Sequence, residues 1–135
     1  MRFLTPYTKE KVTGEIGHNV TFTWKFSGTV DLVTWGLADS ELKNIDPKNL
    51  LVSLDARGVD VVPSNSFAKA YKGRVNGTRT VDPSSGQASF TLYNVTKDDE
   101  RYYGCSLKPD SPNEGPIPDL VQLVVVGMYP SSSDL

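Results

Sequence analysis

A chain of 135 residues with 38% hydrophobic and 22% charged residues and a net charge of -2 suits one packed core. The charge is too small for the basic footprint of a nucleic-acid binder, and no long run of one sign suggests a disordered tail. No segment is apolar enough for long enough to span a bilayer, and the start MRFLTPYT lacks the apolar centre of a signal peptide.

In chain order, residues 1–9 read as a lead-in, and Lys11 to Gly17 (KVTGEIG) as a first strand followed by a turn. Asn19 to Phe26 (NVTFTWKF) alternates, with Val20, Phe22, Trp24 and Phe26 on one side and Asn19, Thr21, Thr23 and Lys25 on the other. After the Ser27-Gly28 turn, Leu32 to Leu37 puts Val33, Trp35 and Leu37 on a shared face. Leu50 to Asp55 and Val59 to Pro63 are short β-prone runs bounded by Pro47, Gly58 and Pro63, whereas Ser64 to Ala70 has no deciding period. Tyr71 to Val75 (YKGRV) reads as another strand. Gly86 to Val95 follows, with Ala88, Phe90, Leu92 and, at its end, Asn94 on one face.

The stretch Asp98 to Cys105 (DDERYYGC) runs from an acidic turn into a strand, with Asp99, Tyr103 and Cys105 spaced D-x-x-x-Y-x-C. Thr96 is placed to cap the short helical turn before it. Lys108 to Pro118, rich in proline, is a partly rigid loop. Asp119 to Val126 is the last strand, with Val121, Leu123 and Val125 inward and Leu120, Gln122, Val124 and Val126 outward. Such an apolar outward face is either covered by the N-terminal strand or marks a contact site. Residues 128–135 read as the start of a linker, which bounds a domain at 10–127.

The D-x-x-x-Y-x-C phrase, Trp35 and the extra strands between them resemble an immunoglobulin variable-type sandwich, an all-β fold with strands A/A′ B C C′ C″ D E F G. The resemblance implies that Tyr103 on strand F closes the E–F corner through its hydroxyl and that Trp35 is the strand-C core tryptophan. It also implies an ion pair of Arg74 with Asp99, for which a guanidinium and a carboxylate are well matched.

One position departs from the pattern. Trp24, 11 residues before Trp35, stands where strand B carries a cysteine, and Cys105 is the sole cysteine, so the B–F disulfide is impossible. A disulfide closing such a loop contributes about 4 kcal/mol. Burying an aromatic ring contributes about 3 kcal/mol, so packing of Trp24, Trp35, Phe22, Leu92 and Cys105 is the expected substitute.

Cys105 is then a small buried hydrophobe, because a reactive thiol needs exposure and a base, and His18, the sole histidine, falls in the A–B turn. No phosphate loop, metal-ligand spacing or catalytic constellation is present in the sequence, so neither enzyme activity nor a cofactor is expected. Adjacent carboxylates at Asp98, Asp99 and Glu100 point different ways along a short turn, so calcium is not expected there either.

Asn19, Asn76 and Asn94 each open an N-x-T sequon in a predicted turn or strand end. Three such sites argue for export, although Asn and Thr also favour turns for backbone reasons.

With Trp24 in strand B and SFTLYNVTKDDERYYGC around strand F, the chain over about residues 10–126 resembles the membrane-distal domains of cnidarian allorecognition receptors, the allodeterminant proteins of colonial hydroids. That resemblance implies a membrane-anchored, extracellular receptor whose outer domain binds weakly to a copy of itself on an opposing cell. Alternation then puts Thr34, Gly36, Ser53, Asp55, Gly104, Ser106, Gln122 and Val124 on the contact face. A receptor for a different protein, using the loop end, and a muscle-type structural module, for which lack of a disulfide is normal, are the alternatives.

Overall fold

The computed structural model describes residues 1–55, 58–61, 68–81 and 86–127. Among the described residues, ten strands form two sheets. The back sheet has the order β1 (Arg2–Phe3), β3 (Val20–Ser27), β8 (Gly86–Leu92), β7 (Val75–Val81). The front sheet has the order β2 (Lys11–Glu15), β10 (Ile117–Val126), β9 (Tyr102–Pro109), β4 (Val30–Ala38), β5 (Ile45–Asp55), β6 (Gly58–Val61). These are the ABED and A′GFCC′C″ sheets of a variable-type immunoglobulin sandwich.

The core lies between the sheets because the strands alternate. Val20, Phe22, Trp24 and Phe26 on β3 face Val33, Trp35 and Leu37 on β4 and Tyr103, Cys105 and Leu107 on β9, all buried. Phe22, Phe90 and Tyr103 lie with ring centroids 5.8 to 6.4 Å apart, within the range of favourable aromatic contact. A Cβ at Gly77 would stand 2.3 Å from the Trp35 ring, so β7 needs glycine there.

Several boundaries differ from the sequence reading. Strand D begins at Val75 rather than Tyr71, because Ala68–Tyr71 is a 3-10 turn and Arg74 N–H closes a further turn on the Tyr71 carbonyl. The Asn76-Gly77 pair, expected in a turn or at a strand end, lies inside β7, where Gly77 accommodates Trp35. β5 starts at Ile45 and carries Pro47 on an exposed stretch, with register shifts against β4 on either side of Gly36. β9 runs through Pro109 and β10 begins at Ile117, which shortens the proline-rich loop between them. Asn94, placed on the inward face by alternation, is exposed, because the chain turns left-handed there at φ 53°.

Residues 1–9 do more than lead in. Arg2 and Phe3 pair with Ser27 and Phe26 at the back-sheet edge, while β2 runs parallel to β10 in the front sheet. The segment between them therefore crosses from one sheet to the other. The expected Pro63 end of strand C″, the uncertain segment 64–67 and the linker 128–135 lie outside the described residues.

Candidate recognition surface

The outward side of the front sheet is built in cross-strand rows. One row runs Pro118, Ser106, Thr34, Ser53 and Asp60 across five strands, and its described polar side chains are short. The next runs Leu120, Gly104, Gly36 and Leu50. Here two expected contact residues drop out of the surface.

Gly104 and Gly36 face outward but are buried under other side chains. A Cβ at Gly104 would come 2.8 Å from both Ile45 Cγ1 and Leu120 Cδ2, and one at Gly36 would meet Ile45 Cγ2 at 2.8 Å. Ile45 and Leu120, only 8% and 3% exposed, fill the space over the two glycines and close this row off from solvent. Thr34, Ser53, Asp55, Gln122 and Val124 remain half-buried on the outward side, whereas Ser106 is nearly closed off at 9%. The N-terminal strand covers the edge of β10 but leaves Val126 exposed.

Two carboxylates hold this sandwich together at opposite ends of strand G's path. At the E–F corner, Arg74 approaches Asp99 through both guanidinium nitrogens: Nη2 lies 2.5 Å from Oδ2 and Nη1 3.3 Å from Oδ1. The same guanidinium donates to the Ala70 and Asn94 carbonyls, at 2.9 and 3.0 Å. Asp99, 3% exposed, also accepts the Thr96 N–H at 2.8 Å, which stitches the 3-10 turn Lys97–Asp99 to its N-cap. The Asp99 side chain beside it pushes the Arg74 guanidinium's pKa up, so the cation persists throughout the usual pH range.

Tyr103 completes the corner. Its hydroxyl donates to the Asp99 carbonyl at 2.7 Å, and the Tyr71 hydroxyl lies 3.1 Å from it. Because the single Tyr103 hydroxyl hydrogen is committed to Asp99, Tyr71 is the donor of the second bond. Burial pushes the pKa of both phenols up. Lys97 and Glu100 then dock the corner on β10: Lys97 Nζ donates to the Val125 carbonyl, and Val125 N–H donates to Glu100 Oε1.

The sequence reading missed the second clasp. Asp119 points inward from the start of β10, and its Oδ2 accepts the Trp24 indole N–H at 2.7 Å and the Tyr7 N–H at 2.6 Å, while Oδ1 accepts the Thr8 N–H at 3.0 Å. Tyr7 in turn accepts the Thr23 N–H through its hydroxyl and sets its ring edge-on to Trp24, with centroids 5.2 Å apart. One carboxylate thus ties strand B of the back sheet, strand G of the front sheet and the segment that crosses between them.

This is the missing inter-sheet link. Trp24 fills the place of the strand-B cysteine and reaches across with its N–H to a residue paired with Cys105 in register. Cys105 itself is fully buried, and burial raises its thiol pKa well above the usual range, first through desolvation and then through the nearby Asp119 charge. The His18 imidazole lies 3.6 Å from the Glu15 carboxylate at the exposed A–B turn. A shallow hollow of about 230 Å³ beside the Asp119 clasp is lined by Thr8, Lys9, Leu42, Lys43 and Leu120.

No family model matches the chain, and no curated protein matches it. Solved structures do. Murine CRIg superposes with a TM-score of 0.65 at 19% identity, covering 91% of this chain and 98% of that one. A chain from a structure of T cell specificity and activation by the bacterial superantigen toxic shock syndrome toxin-1 superposes with a TM-score of 0.59 at 13% identity, covering 86% of this chain and 92% of that one. At such identities the likeness establishes the variable-type immunoglobulin fold.

Proposed function

We propose that this chain is an extracellular recognition domain of a membrane-anchored receptor that binds a second copy of itself on an opposing cell through the front sheet, in self/non-self discrimination. The observation that carries this reading is the asymmetry of the two outward faces. The front sheet presents short, half-buried side chains at Thr34 and Ser53 beside half-buried Leu50, a low relief on which a flat partner can close. The back sheet presents a hydroxyl ladder, with Thr21 bonded to Thr91 and Thr23 to Ser89.

Resemblance to hydroid allorecognition receptors supports a homophilic partner, and the likeness to CRIg fits a recognition domain of the immunoglobulin class. A standard interface buries about 800 Å² per partner, an area such a sheet can supply. Weak binding of single copies would be amplified across a cell contact by many receptors. Selectivity between alleles follows from repulsive side chains on the front face as much as from attractive ones.

Bead aggregation tests the reading. Beads coated with the chain should clump with one another and exclude beads that carry a different immunoglobulin domain. Thr34→Glu places like charges against each other in the centre of the face and should abolish clumping, while Lys25→Glu on the exposed back sheet should leave it unchanged. Dispersed beads bearing folded protein would refute self-recognition and favour a different ligand at the loop end, whereas clumping that survives Thr34→Glu would refute the front sheet as the contact face.

A further inference from the structure

We infer that Asn19, Asn76 and Asn94 carry N-linked glycans forming a single carbohydrate patch on the back sheet, seated over the exposed Tyr93 ring at the end where β10 finishes. The sequons lie far apart in sequence, but the sheet register brings them together. Val20 and Val75 both pair with Leu92, and Thr21 and Asn76 both pair with Thr91. Strands are spaced about 4.8 Å apart, so three anchors on neighbouring strands fall within roughly 15 Å. Asn19 and Asn94 are closer still, since Asn19 Oδ1 accepts the Asn94 backbone N–H at 3.0 Å.

The chemistry of that contact leaves the reacting atom available. Transfer of the glycan uses the side-chain nitrogen, and the atom engaged in Asn19 is the oxygen. In the reaction the Asn Nδ2 forms a bond to the anomeric carbon of an oligosaccharide carried on a polyprenyl pyrophosphate. The bond from that carbon to the pyrophosphate oxygen breaks, the nitrogen loses one proton and the lipid pyrophosphate leaves.

Backbone needs account for two of the three residues but not the third. Asn94 adopts the left-handed conformation that asparagine tolerates, and Asn19 caps the Asn94 N–H. Asn76 sits inside β7, where neither role applies. Tyr93 adds an independent observation: it is one of three large apolar side chains among the described residues exposed by more than a third, at 37%, and it lies directly beside Asn94. An aromatic face packs well against the apolar face of a sugar ring, which removes an otherwise unexplained exposed surface.

The patch has a defined position. Ile16 N–H donates to the Val126 carbonyl and Gly17 N–H to the Val95 carbonyl, so the end of β10, the A–B turn and the E–F corner share one end of the sandwich. Carbohydrate there covers the back of the domain and leaves the front sheet bare, which restricts a protein partner to that face. The inference rests on the proposed export of the chain.

The test is to secrete the full 135-residue chain from a glycosylating eukaryotic host behind a cleavable leader, then release N-glycans with an amidase in heavy-oxygen water. Peptide mapping should find heavy-labelled aspartate at all three positions. Hydroxyl-radical footprinting before and after release should show Tyr93 oxidation rising several-fold, with Tyr102 on the front sheet unchanged. Unlabelled sequons in secreted, folded protein, or equal Tyr93 reactivity with and without glycans, would overturn the inference. Those results leave self-recognition untouched, and filled sequons on beads that fail to clump would refute self-recognition alone.

Discussion

Two enclosed carboxylates, Asp99 and Asp119, do the same mechanical job by different chemistry. Asp99 faces a cation and forms a bidentate pair with Arg74, whereas Asp119 holds an indole N–H and two backbone N–H groups with no cation among those bonds. The first clasp joins segments at one corner of the fold; the second spans both sheets, 95 residues separating Trp24 from Asp119 and 112 separating Tyr7 from it. The difference shows how a sandwich dispenses with its disulfide. The corner keeps the ion pair expected of the fold, and the cross-sheet bond is replaced by a large ring with a polar edge.

The largest effect should come from removing that ring. Trp24→Ala deletes a fully buried indole and should cost about 4 kcal/mol, read as a fall in the denaturant midpoint. Trp24→Phe keeps much of the packing and loses the bond to Asp119, so it should cost clearly less. Equal losses from both variants would show that the hydrogen bond, not the packing, replaces the disulfide.

Removing charge separates the two clasps. Asp99→Asn leaves the Arg74 guanidinium facing a neutral amide in a site where the carboxylate is nearly buried, and should cost about 3 kcal/mol. Asp119→Asn keeps one oxygen, which can sit at the Oδ2 position and retain both the Trp24 and the Tyr7 bonds, leaving only Thr8 without its acceptor. That substitution should cost about 1 kcal/mol. If Asp119→Asn proves the more damaging, the second clasp depends on its charge and the distinction drawn here fails.

The contrast also explains what could be read in the sequence. The corner was legible because its members carry a spaced signature, Asp99, Tyr103 and Cys105 within seven residues, and because alternation on β3, β4 and β9 identified the buried side of each strand. Asp119 looked like the polar first residue of a strand. Its donors are backbone groups at Tyr7 and Thr8 and an indole from strand B, and no local period reports on such pairings. A carboxylate on the inward face of an apolar strand, in phase with Val121, Leu123 and Val125, was the available signal. The proposed contact face was legible in register but not in relief, since only the packed structure puts Ile45 on top of Gly36 and Gly104.

The smallest effect near neutral pH, and the most diagnostic at high pH, concerns the groups that the clasps enclose. Cys105, Tyr71 and Tyr103 all have raised folded-state pKa values, caused first by burial. For a group raised in this way, stability is fully present below the unfolded pKa and is lost as pH climbs toward the folded one. Unfolded cysteine and tyrosine ionise from about pH 9 upward, so the denaturant midpoint should be flat through neutrality and fall progressively above that point. Glu100 works in the opposite direction: Lys97 and the Val125 N–H lower its pKa, so its small contribution is present above the unfolded value and fades as acid protonates it. The enclosed thiol gives a second readout, because the thiolate is the reactive form and neither exposure nor charge favours it here. Cys105 should therefore resist a thiol reagent in the native protein and react only as the sandwich opens, faster in Trp24→Ala in proportion to its lost stability. Rapid labelling of the unmodified fold at neutral pH would mean that the seam between Trp24 and Cys105 is open, and that the ring does not seal the place of the absent bond.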